Sequence, residues 1–545
     1  MSALLLVVVV DASSGAPPFS DLSISEAKWA SVRLSLSLIA AVVAIPAFLT
    51  GLSFPLGNAL VQDAAGAVGR RAGALYLANT LGAALGSTGV GFLLLPALGM
   101  QHSLGLLLCL GAGVVVALTW YTHARAGGGR LAVGCGIVLM AAFAAWSRLP
   151  GDYLLSKTFR GAKAPLFMRE GIGESLAVTE TTEATTDLDR PFSTYRMLWT
   201  NGHAMSGANY LGMRYMRAFS HLPLLMTERP ERVLVICFGV GNTLHAASLH
   251  PSVTSLEIAD LSENILSTAD YFSGTNDHVL KDPRVSVFVN DGRQHLRMGA
   301  AQYDLITLEP PPISFAGVSS LYSADFYRLA RSRLKPKGFM TQWLPGYQVP
   351  DSAVRSAVRA FLEVFPTAVL LSGFQKELIL VGINSPDTPH LDPDAVVARL
   401  VERPRVAQDL DRIGLGTVRE MAGAFVAGPR ALAAATREDP PITDDFPILE
   451  YGVVAFQKTH FPRELIDLED APTWCPRCFE GKLEAPLIDG LREYFGILAA
   501  YYGSEGFLTE GHRKAPELWL PGDARSRQVI SESPYLRSAF RGSAP

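Results

Sequence analysis

The segment 232–243, with the sequence RVLVICFGVGNT, most strongly constrains the fold of this chain. It begins as a short apolar run rich in β-branched residues, breaks into Gly239-Val240-Gly241, and continues as a helix-compatible stretch. A buried strand, a glycine turn and a helix start fit that order. Glycine lets the backbone approach a ligand closely, and a helix start offers free N–H groups. The segment therefore predicts a nucleotide-type site in an open α/β sheet.

The chain after this segment alternates strand-like and helix-like stretches, which predicts a parallel sheet. The predicted strands are 253–259, 285–289, 303–308 and 338–344, the predicted helices are 262–272 and 323–334, and 368–371 with 377–382 predict a closing hairpin. Polar or acidic residues follow three of the strands, at Asp260, at Asn290-Asp291 and at Glu309. Since ligands bind at this edge in such sheets, we expect these residues to share one site.

Most of the hydrophobic excess lies before residue 150, where four apolar stretches predict membrane-spanning helices. The stretches are 32–61, 72–98, 103–121 and 131–146. Lengths near twenty apolar residues suit a bilayer crossing, although the fourth stretch is short. Basic residues are balanced between alternate loops, so charge predicts no orientation. The alternative is a buried helical domain of a soluble protein.

Composition and patterning divide the chain into six segments. We expect an N-terminal segment at 1–31, a transmembrane region of about four helices at 32–148, a small β domain at 165–228, a Rossmann-like domain at 229–383, a helical appendix at 384–462 and a tail at 463–545. A helix predicted at 210–226, at the end of this β domain, leads into the first central strand. The net charge of −4 argues against a nucleic-acid partner held by bulk charge.

Three acidic positions are candidates for chemistry. Asp260 lies about 20 residues after the glycine turn, where a carboxylate would accept hydrogen bonds from a ribose diol. The polar side chains of Asn290-Asp291 would contact an adenine amino group. Glu309 precedes three prolines, which hold the backbone extended, so its carboxylate would accept a proton or hold a cation in the cleft above the sheet. The alternative for each acid is a solvated strand end or a helix cap.

Five cysteines are too few for a disulfide framework. Cys475-x-x-Cys478 is half of a zinc site or a redox pair, but no second pair of ligands accompanies it, so we predict no metal site. Cys237, at the end of the first central strand, is more typical of a core residue than of a nucleophile.

The chain resembles the spermidine synthase family of aminopropyltransferases over about residues 40–455, and within it the bacterial members fused to a membrane segment. The motifs that carry the resemblance are LYLANTLGAALG, GFLLLPALG, HLPLL, VLVICFGVGNT, NDGRQHL, YDLITLEPPP, SLYSADFYRLARSRLKPKGFMTQW and TDDFPILEY. The implied fold class is a membrane α-helical N-terminal region plus an α/β part, in which a small β domain precedes a seven-stranded class I methyltransferase-type Rossmann sheet.

The resemblance also implies roles for individual residues. Gly239, Gly241, Asp260 and Asp291 match the family's nucleoside-binding positions, and we add Val240, Asn242 and Asn290 to the predicted cofactor-binding set. Glu309 matches the family's proposed proton acceptor, the first Asp of its DSSDP motif. Tyr215 and Gln342 match residues that line the substrate cleft, and Tyr215 is placed with Glu309 in the catalytic set.

Several positions depart from the family pattern, mostly in the half of the cleft that would hold the amine. Val240 stands where soluble members carry the Asp of GGGDGG, and Pro312 replaces the second Asp of DSSDP. Met216-Arg217 replace the His-Glu of YHE, and Asn201 and Met205 replace the Asp and Gln of DGxxQ. A diamine is a dication at neutral pH, so its cleft should carry carboxylates. This cleft is expected to hold fewer of them and to gain Arg217.

The expected function is a membrane-anchored transfer of an aminopropyl group from decarboxylated S-adenosylmethionine to an amine such as putrescine. The donor is a co-substrate, and no prosthetic group is expected. The expected partners are these small molecules and a lipid membrane, without nucleic acid, and a homodimer is left open. We expect a bacterial inner-membrane location with the catalytic domain facing the cytoplasm. The alternatives are a methyltransferase that uses S-adenosylmethionine itself, and a non-catalytic transporter or sensor with a nucleoside-binding domain.

Overall fold

The structure, a computed structural model, describes residues 68–123, 129–159, 165–182, 194–346, 348–451 and 463–479. Residues 172, 313–314, 316, 375–376 and 468–469 are excluded from these ranges, and only short pieces are described between 40 and 59. The chain divides into two compact units. The first comprises Met1–Thr179 with Trp199–His203, and the second comprises Glu180–Leu198 with Ala204–Pro545.

The first unit contains the apolar helices. These are α1 (Val68–Gly89), a π-helical turn (Val90–Leu94), α2 (Leu95–His123), α3 (Gly129–Ser147) and the short α4 (Tyr153–Thr158). Within the described residues one helical stretch, Val68–Val114, is long and apolar enough to cross a membrane. The predicted span at 72–98 and part of the predicted span at 103–121 lie within this stretch. The apolar part of α3 is short and the predicted span at 32–61 is described only in pieces, so four membrane-spanning helices stay a prediction.

The long apolar path is broken at Gly99, between the predicted second and third spans. Gly99 has non-helical dihedral angles (φ 71°, ψ 173°), which glycine adopts at little cost. The N–H of the next residue, Met100, donates to the carboxylate of Glu170. One residue further on, the buried Gln101 side chain donates to Pro150 O at 2.6 Å and accepts from Leu154 N at 3.0 Å. Polar groups therefore satisfy the backbone where the apolar helix is interrupted.

A four-stranded sheet follows, in the order β1-β2-β3-β4. Its strands are β1 (Pro165–Glu170), β2 (Ser175–Thr182), β3 (Thr194–Thr200) and β4 (His203–Gly207), and β1 pairs with β2 antiparallel. Asn201 and Gly202 both have positive φ, which a two-residue hairpin turn requires. The predicted small β domain thus corresponds to this sheet. The sequence also predicts a turn near 187–191 between its strands, and that turn lies outside the described residues.

The second unit is built on an eight-stranded sheet in the order β12-β10-β11-β9-β8-β5-β6-β7. Its strands are β5 (Arg232–Ile236), β6 (Ser255–Asp260), β7 (Val285–Val289), β8 (Tyr303–Leu308), β9 (Leu334–Pro345), β10 (Val369–Phe374), β11 (Glu377–Ile383) and β12 (Phe425–Ala427). The neighbours from β7 to β9 run parallel, whereas β11 pairs antiparallel with both β9 and β10. The predicted parallel sheet with a closing hairpin is present.

The number of strands differs from the expected seven. The eighth strand, β12, comes from the segment 384–462, which we predicted to be wholly helical. Leu371 of β10 pairs with Phe425 of β12, and Ser372 N donates to Ala424 O at 2.6 Å. A three-residue strand is too short to show the alternation that identifies strands in a sequence. Its partner β10 supplies the pairing that stabilises it.

Helices cover this sheet, and α5 is central to the site. The helices are α5 (Tyr210–Met226), α6 (Asn242–Ser248), α7 (Glu263–Ser267), α8 (Ser273–Asn276), α9 (Gly292–Met298), α10 (Ala324–Ser332), α11 (Asp351–Leu362), α12 (Pro393–Glu402), α13 (Pro404–Arg412), α14 (Val418–Ala422), α15 (Pro429–Ala435), α16 (Ile448–Tyr451), α17 (Ala471–Trp474) and α18 (Pro476–Phe479). Asn209 caps α5 by accepting from Gly212 N at 3.0 Å. The sequence also predicts a helix within the tail, at about 487–502, and that helix lies outside the described residues.

Candidate active site

The ends of four parallel strands meet at one edge of the sheet. Burial raises the pKa of the Cys237 thiol well above its ordinary value, and neighbouring carboxylates raise that pKa further; in order of effect these are Asp260, Glu309 and Asp291. They follow or end β6, β8 and β7, so the predicted convergence of strand-end acids is present. The Cys237 thiol stays protonated, as expected for a residue that is not a nucleophile.

The turn after β5 depends on its glycines. Gly239 and Gly241 have φ of 55° and 85°, in the left-handed region that favours glycine. Gly241 N donates to Phe238 O at 2.8 Å and closes the turn. A Cβ at Gly241 would lie 2.7 Å from Cζ of the Phe238 ring, so a side chain is excluded there. The turn therefore requires glycine at position 241 both for its backbone conformation and for its packing against Phe238.

The two other predicted turn residues are buried. Val240 has no exposed surface, and its carbonyl oxygen accepts from Asn276 Nδ2 at 3.0 Å. Asn242 is also fully buried, and its Nδ2 lies 3.6 Å from the Met216 sulfur. Oδ1 of Asn242 has no hydrogen-bond partner in the described part of the chain. The turn therefore offers one unsatisfied acceptor, and Val240 offers none from its side chain.

Asp260 and Asp291 already make structural hydrogen bonds. Oδ2 of Asp260 accepts from Phe238 N at 2.7 Å, and Oδ1 accepts from Ser262 N at 2.8 Å. Asp291 caps α9 through Gln294 N at 2.7 Å. Both residues thus shape the edge of the sheet. The predicted ribose and adenine contacts stay predictions.

Neighbouring residues support the same edge. Asn290 N donates to Asp260 O at 3.0 Å and joins the end of β7 to β6. Glu257, the less favoured alternative to Asp260, lies within β6 and accepts from the Tyr303 hydroxyl at 2.8 Å. It also pairs with Arg232 at 3.2 Å. Through these contacts Glu257 links β6 to residues of β5 and β8.

Glu309 lies directly after β8 and accepts a hydrogen bond from the Tyr215 hydroxyl through Oε1. Burial raises the pKa of Glu309 from its ordinary 4.5 to about 8; the Tyr215 hydrogen bond lowers this pKa and the Glu377 charge raises it. Among the described residues Glu309 forms no ion pair. The structure therefore brings the two predicted catalytic residues together, with a carboxyl group tuned to exchange a proton near neutral pH.

Gln342, on β9, lies in register with Leu308, the residue before Glu309. It is fully buried, and its Nε2 donates to Trp343 O at 3.3 Å. Its Oε1 and the hydroxyl of the buried Tyr322 have no hydrogen-bond partners within the described residues. Burial raises the pKa of Tyr322 well above its ordinary value, while the nearby Gln342 side chain lowers it. Two buried polar atoms are thus left for a ligand.

One site residue, Glu377, was missed from the sequence. It is the first residue of β11, and its Oε2 accepts from Trp343 Nε1 at 2.7 Å. Its charge acts on both Glu309 and Tyr322. The available signal was the predicted hairpin, whose second strand begins with this acid and returns to the sheet beside the strand that carries Gln342.

Arg217 does not enter the amine cleft, contrary to our expectation. Its guanidinium pairs with the buried Asp409 of α13 and donates to Thr275 O at 2.8 Å. Residues two apart on a helix point about 200° apart, so Tyr215 and Arg217 face opposite sides of α5. Asn201 lies in the β3–β4 turn, where its Oδ1 accepts from Ser175 N at 2.8 Å.

Cys475 and Cys478 form a buried disulfide. The described residues contain no group of three or more His, Cys, Asp or Glu that could hold a metal ion.

Comparison with known proteins identifies a similar domain in this region. The spermine/spermidine synthase domain matches residues 212–370. The polyamine aminopropyltransferase of Korarchaeum cryptofilum is 25% identical over 239 residues, which cover 43% of this chain and 72% of the relative. Those of Thermoanaerobacter sp. and Bacillus subtilis are 24% and 28% identical over 153 and 157 residues, covering 28% and 29% of this chain. The matches span 54% and 56% of these two relatives, about half of their length.

Proposed function

We propose that this chain, a member of the spermidine synthase family, transfers an aminopropyl group from decarboxylated S-adenosylmethionine to an amine such as putrescine. The observation that carries the proposal is the contact between Tyr215 and Glu309 at the strand-end edge, beside the glycine turn. An amine acceptor is an ammonium ion in water, with a pKa near ~10. Its lone pair becomes available only when a base removes a proton, and the pKa of Glu309, at about 8, suits that task.

The transfer step balances with Glu309 as the only proton acceptor. The ammonium of the acceptor gives one proton to the ionised carboxylate. The amine lone pair then attacks the methylene carbon next to the donor's sulfonium, forming a C–N bond while the C–S bond breaks. The electron pair of that bond goes to sulfur, which leaves as the neutral thioether of methylthioadenosine. The new secondary ammonium keeps the positive charge that the sulfonium loses.

The residues around the turn support binding of the donor's nucleoside. Backbone N–H groups at a glycine turn before a helix, with carboxylates at the next two strand ends, suit a ribose and an adenine. Asn242 adds an unpartnered buried oxygen next to this turn. Most of the work of this site is to orient the amine on the methylene carbon, because the sulfonium leaves readily.

The proposal is tested by measuring methylthioadenosine release from the purified full chain given putrescine and the decarboxylated donor. We expect turnover by the wild type and by the control variant Glu363→Gln, in which the replaced carboxylate is exposed and directly follows α11. Glu309→Gln should lower kcat by ~10²-fold or more, the usual contribution of a general base. Absence of methylthioadenosine from the wild type would refute the assigned reaction.

A second candidate is methyl transfer from intact S-adenosylmethionine, favoured by Val240. This fully buried apolar side chain supplies no negative charge to repel the carboxylate that only the intact donor carries, so one reason to prefer the decarboxylated form is missing. Thermal stabilisation by the two donors separates the candidates, because a ligand that binds only the folded chain raises its stability. Greater stabilisation by the intact donor, with a methylated product, would favour this candidate.

We also propose that the apolar helices anchor the chain in a bacterial inner membrane, with the catalytic domain in the cytoplasm. The stretch Val68–Val114 is long and apolar, and large side chains along it are exposed, among them Leu77, Leu85 and Phe92. The Cys475–Cys478 disulfide instead favours an oxidising compartment. Green fluorescent protein fused to the C-terminus should fluoresce in intact cells, as expected for a terminus in the cytoplasm. A dark fusion, together with activity of alkaline phosphatase fused at the same terminus, would show that the catalytic domain lies on the opposite side of the membrane.

A further inference from the structure

The β10–β11 hairpin brings a second carboxylate to the edge of the sheet that carries Glu309. Glu377 opens β11 and is the register partner of Pro345, the last residue of β9. On its other side β9 runs parallel to β8, with Gln342 opposite Leu308. Glu377 therefore lies at the same end of the sheet as Glu309, two strands away.

Both carboxylates lie on the side of the sheet that faces α5. Thr341 of β9 donates to Phe219 O of α5 at 3.1 Å, so this side of β9 faces the helix. Alternate residues of a strand share a side, which places Trp343 with Thr341. Trp343 in turn holds Glu377 through its Nε1 at 2.7 Å. Tyr215, which holds Glu309, lies on the same helix as Phe219, one turn earlier.

The hairpin also closes directly onto Tyr215. Gly373 of β10 lies so near the Cβ of Tyr215 that a side chain at position 373 would collide with it. The two hydrogen-bonded pairs, Tyr215–Glu309 and Trp343–Glu377, are thus fixed on adjoining elements. A phenol hydroxyl donates to Glu309, and an indole N–H donates to Glu377.

The electrostatic interaction between the carboxylates indicates what would fit between them. After burial, the charge of Glu377 contributes to the raised pKa of Glu309, so the two groups repel across the space they share. A molecule with positive charge at both ends relieves that repulsion, whereas a monocation relieves only part of it.

We propose that Glu377 binds the distal ammonium of a diamine acceptor while the reacting amine lies at Glu309, which makes Glu377 a residue that determines acceptor specificity. This inference rests on the proposed function. It compensates for Pro312 and Met216, where the sequence offers no charge for an amine. In this proposal Glu377 binds the distal ammonium, whereas Glu309 exchanges the proton.

The kinetic test compares putrescine with n-butylamine, which has the same four-carbon chain and one ammonium. Glu377→Gln keeps an oxygen that can accept from Trp343 and removes the charge. We expect it to lower kcat/KM for putrescine by ~10–100-fold, mainly through KM, the effect of one charged hydrogen bond. Turnover of n-butylamine should change by less than about threefold, since it lacks the group that Glu377 binds. Equal losses for both amines, or an intact preference for putrescine, would overturn the proposal.

Two further variants separate a specificity role from a structural one. Trp343→Phe removes the N–H that orients Glu377 and should lower the preference for putrescine by a smaller factor. Glu363→Gln, at an exposed carboxylate, should leave that preference unchanged. A structural role for Glu377 would lower the melting temperature of Glu377→Gln while the ratio of the two amines stayed at the wild-type value.

A binding measurement distinguishes failure of this inference from failure of the proposed reaction. The melting temperature of the full chain is recorded with methylthioadenosine and either amine. If the wild type makes no methylthioadenosine but is stabilised more by putrescine than by n-butylamine, and Glu377→Gln loses that difference, the reaction is wrong and the diamine site stands. If the wild type turns over and the difference survives in Glu377→Gln, the site is wrong and the reaction stands.

Discussion

The hydroxyl of Tyr215, on the second turn of α5, donates a hydrogen bond to the carboxylate of Glu309, which follows β8. The two residues are far apart in sequence and are joined by the packing of α5 across the central strands. Because the hydrogen bond favours the ionised carboxylate, it opposes the effect of burial on the pKa of Glu309. The pair therefore sets the pH at which the candidate base is ready to accept a proton.

Replacing Tyr215 with Phe should move the pH dependence of turnover. Without the hydrogen bond the pKa of Glu309 rises above about 8, so the ascending limb of kcat/KM shifts to higher pH. At pH 7 the loss should be about tenfold or more, given the strength of a hydrogen bond to a charged group. Tyr327→Phe is the matched control, since the Tyr327 hydroxyl is buried and has no partner among the described residues. A profile that falls in height without shifting would contradict this role.

Glu309→Gln should abolish turnover and yet stabilise the chain at high pH. The folded pKa of Glu309, about 8, lies above its ordinary 4.5, so the folded state prefers the protonated form. Wild-type stability is therefore lost as pH rises from about 4.5 through about 8, whereas the Gln variant does not titrate there. The gain at pH 8.5 should be on the order of a few kcal/mol at most. Melting temperatures at pH 5 and pH 8.5 measure it, and a pH-independent difference would exclude the shift.

Arg217→Lys should affect stability without affecting amine binding. The variant keeps a charge for Asp409 but loses the planar pairing and the bond to Thr275 O, so the free energy of unfolding should fall by about 1–3 kcal/mol. KM for the amine should stay within about twofold, a difference well under 1 kcal/mol, because the residue faces away from Tyr215. A large rise in KM for the amine would indicate that Arg217 takes part in amine binding and would contradict this prediction.

Asp409→Asn should be severely destabilising. Burial alone would raise the pKa of Asp409, but the hydrogen bond from His221 and the charges of His221 and Arg217 lower it to about 2. A depressed pKa means that the stabilisation is present above pH 3.8 and is lost as pH falls toward 2. Removing the charge leaves Arg217 buried and unpaired, at a cost of about 3–5 kcal/mol. Unfolding in denaturant at pH 7 measures this, and a cost below 1 kcal/mol would refute the assignment.

Gly241→Ala should weaken donor binding and lower stability together. With φ at 85° and a Cβ only 2.7 Å from the Phe238 ring, alanine is strained by both conformation and contact. We expect a cost of about 1–2 kcal/mol from the conformation alone. Gly274→Ala is the control, since nothing lies within 4 Å of its Cβ position. Stabilisation by methylthioadenosine, compared between the two variants, shows whether the turn binds the nucleoside.

Local pattern predicted the sheet well where periodicity was strong. Two strands, the edge strand β7 and the central strand β8, and the helix α5 have the bounds that the sequence suggests, because each has an apolar or amphipathic pattern bounded by turn residues. The glycine turn and the strand-end acids follow from the same logic. The strands of an open sheet end at a common edge, so residues that follow them converge without any knowledge of packing.

The features that sequence reasoning missed depend on tertiary contacts. Glu377 looks like an ordinary strand residue until the hairpin pairs with β9. The direction of Arg217 follows from helix geometry, but its partner Asp409 comes from a distant helix. The break at Gly99 lies between the predicted second and third spans, but its conformation and its polar partner Glu170 come from contacts that the sequence pattern does not reveal.

The strand β12 has a consequence for the order in which the chain can be completed during synthesis. All the candidate catalytic residues precede Ile383, yet β10 keeps an open edge until Phe425–Ala427 have left the ribosome. An open edge offers unpaired N–H and C=O groups to any other nascent chain. A gene fragment that ends after β11 would therefore encode all the candidate catalytic residues. Its product should still aggregate, because the strand that covers the edge of β10 comes from the segment 384–462, which the sequence suggests is accessory.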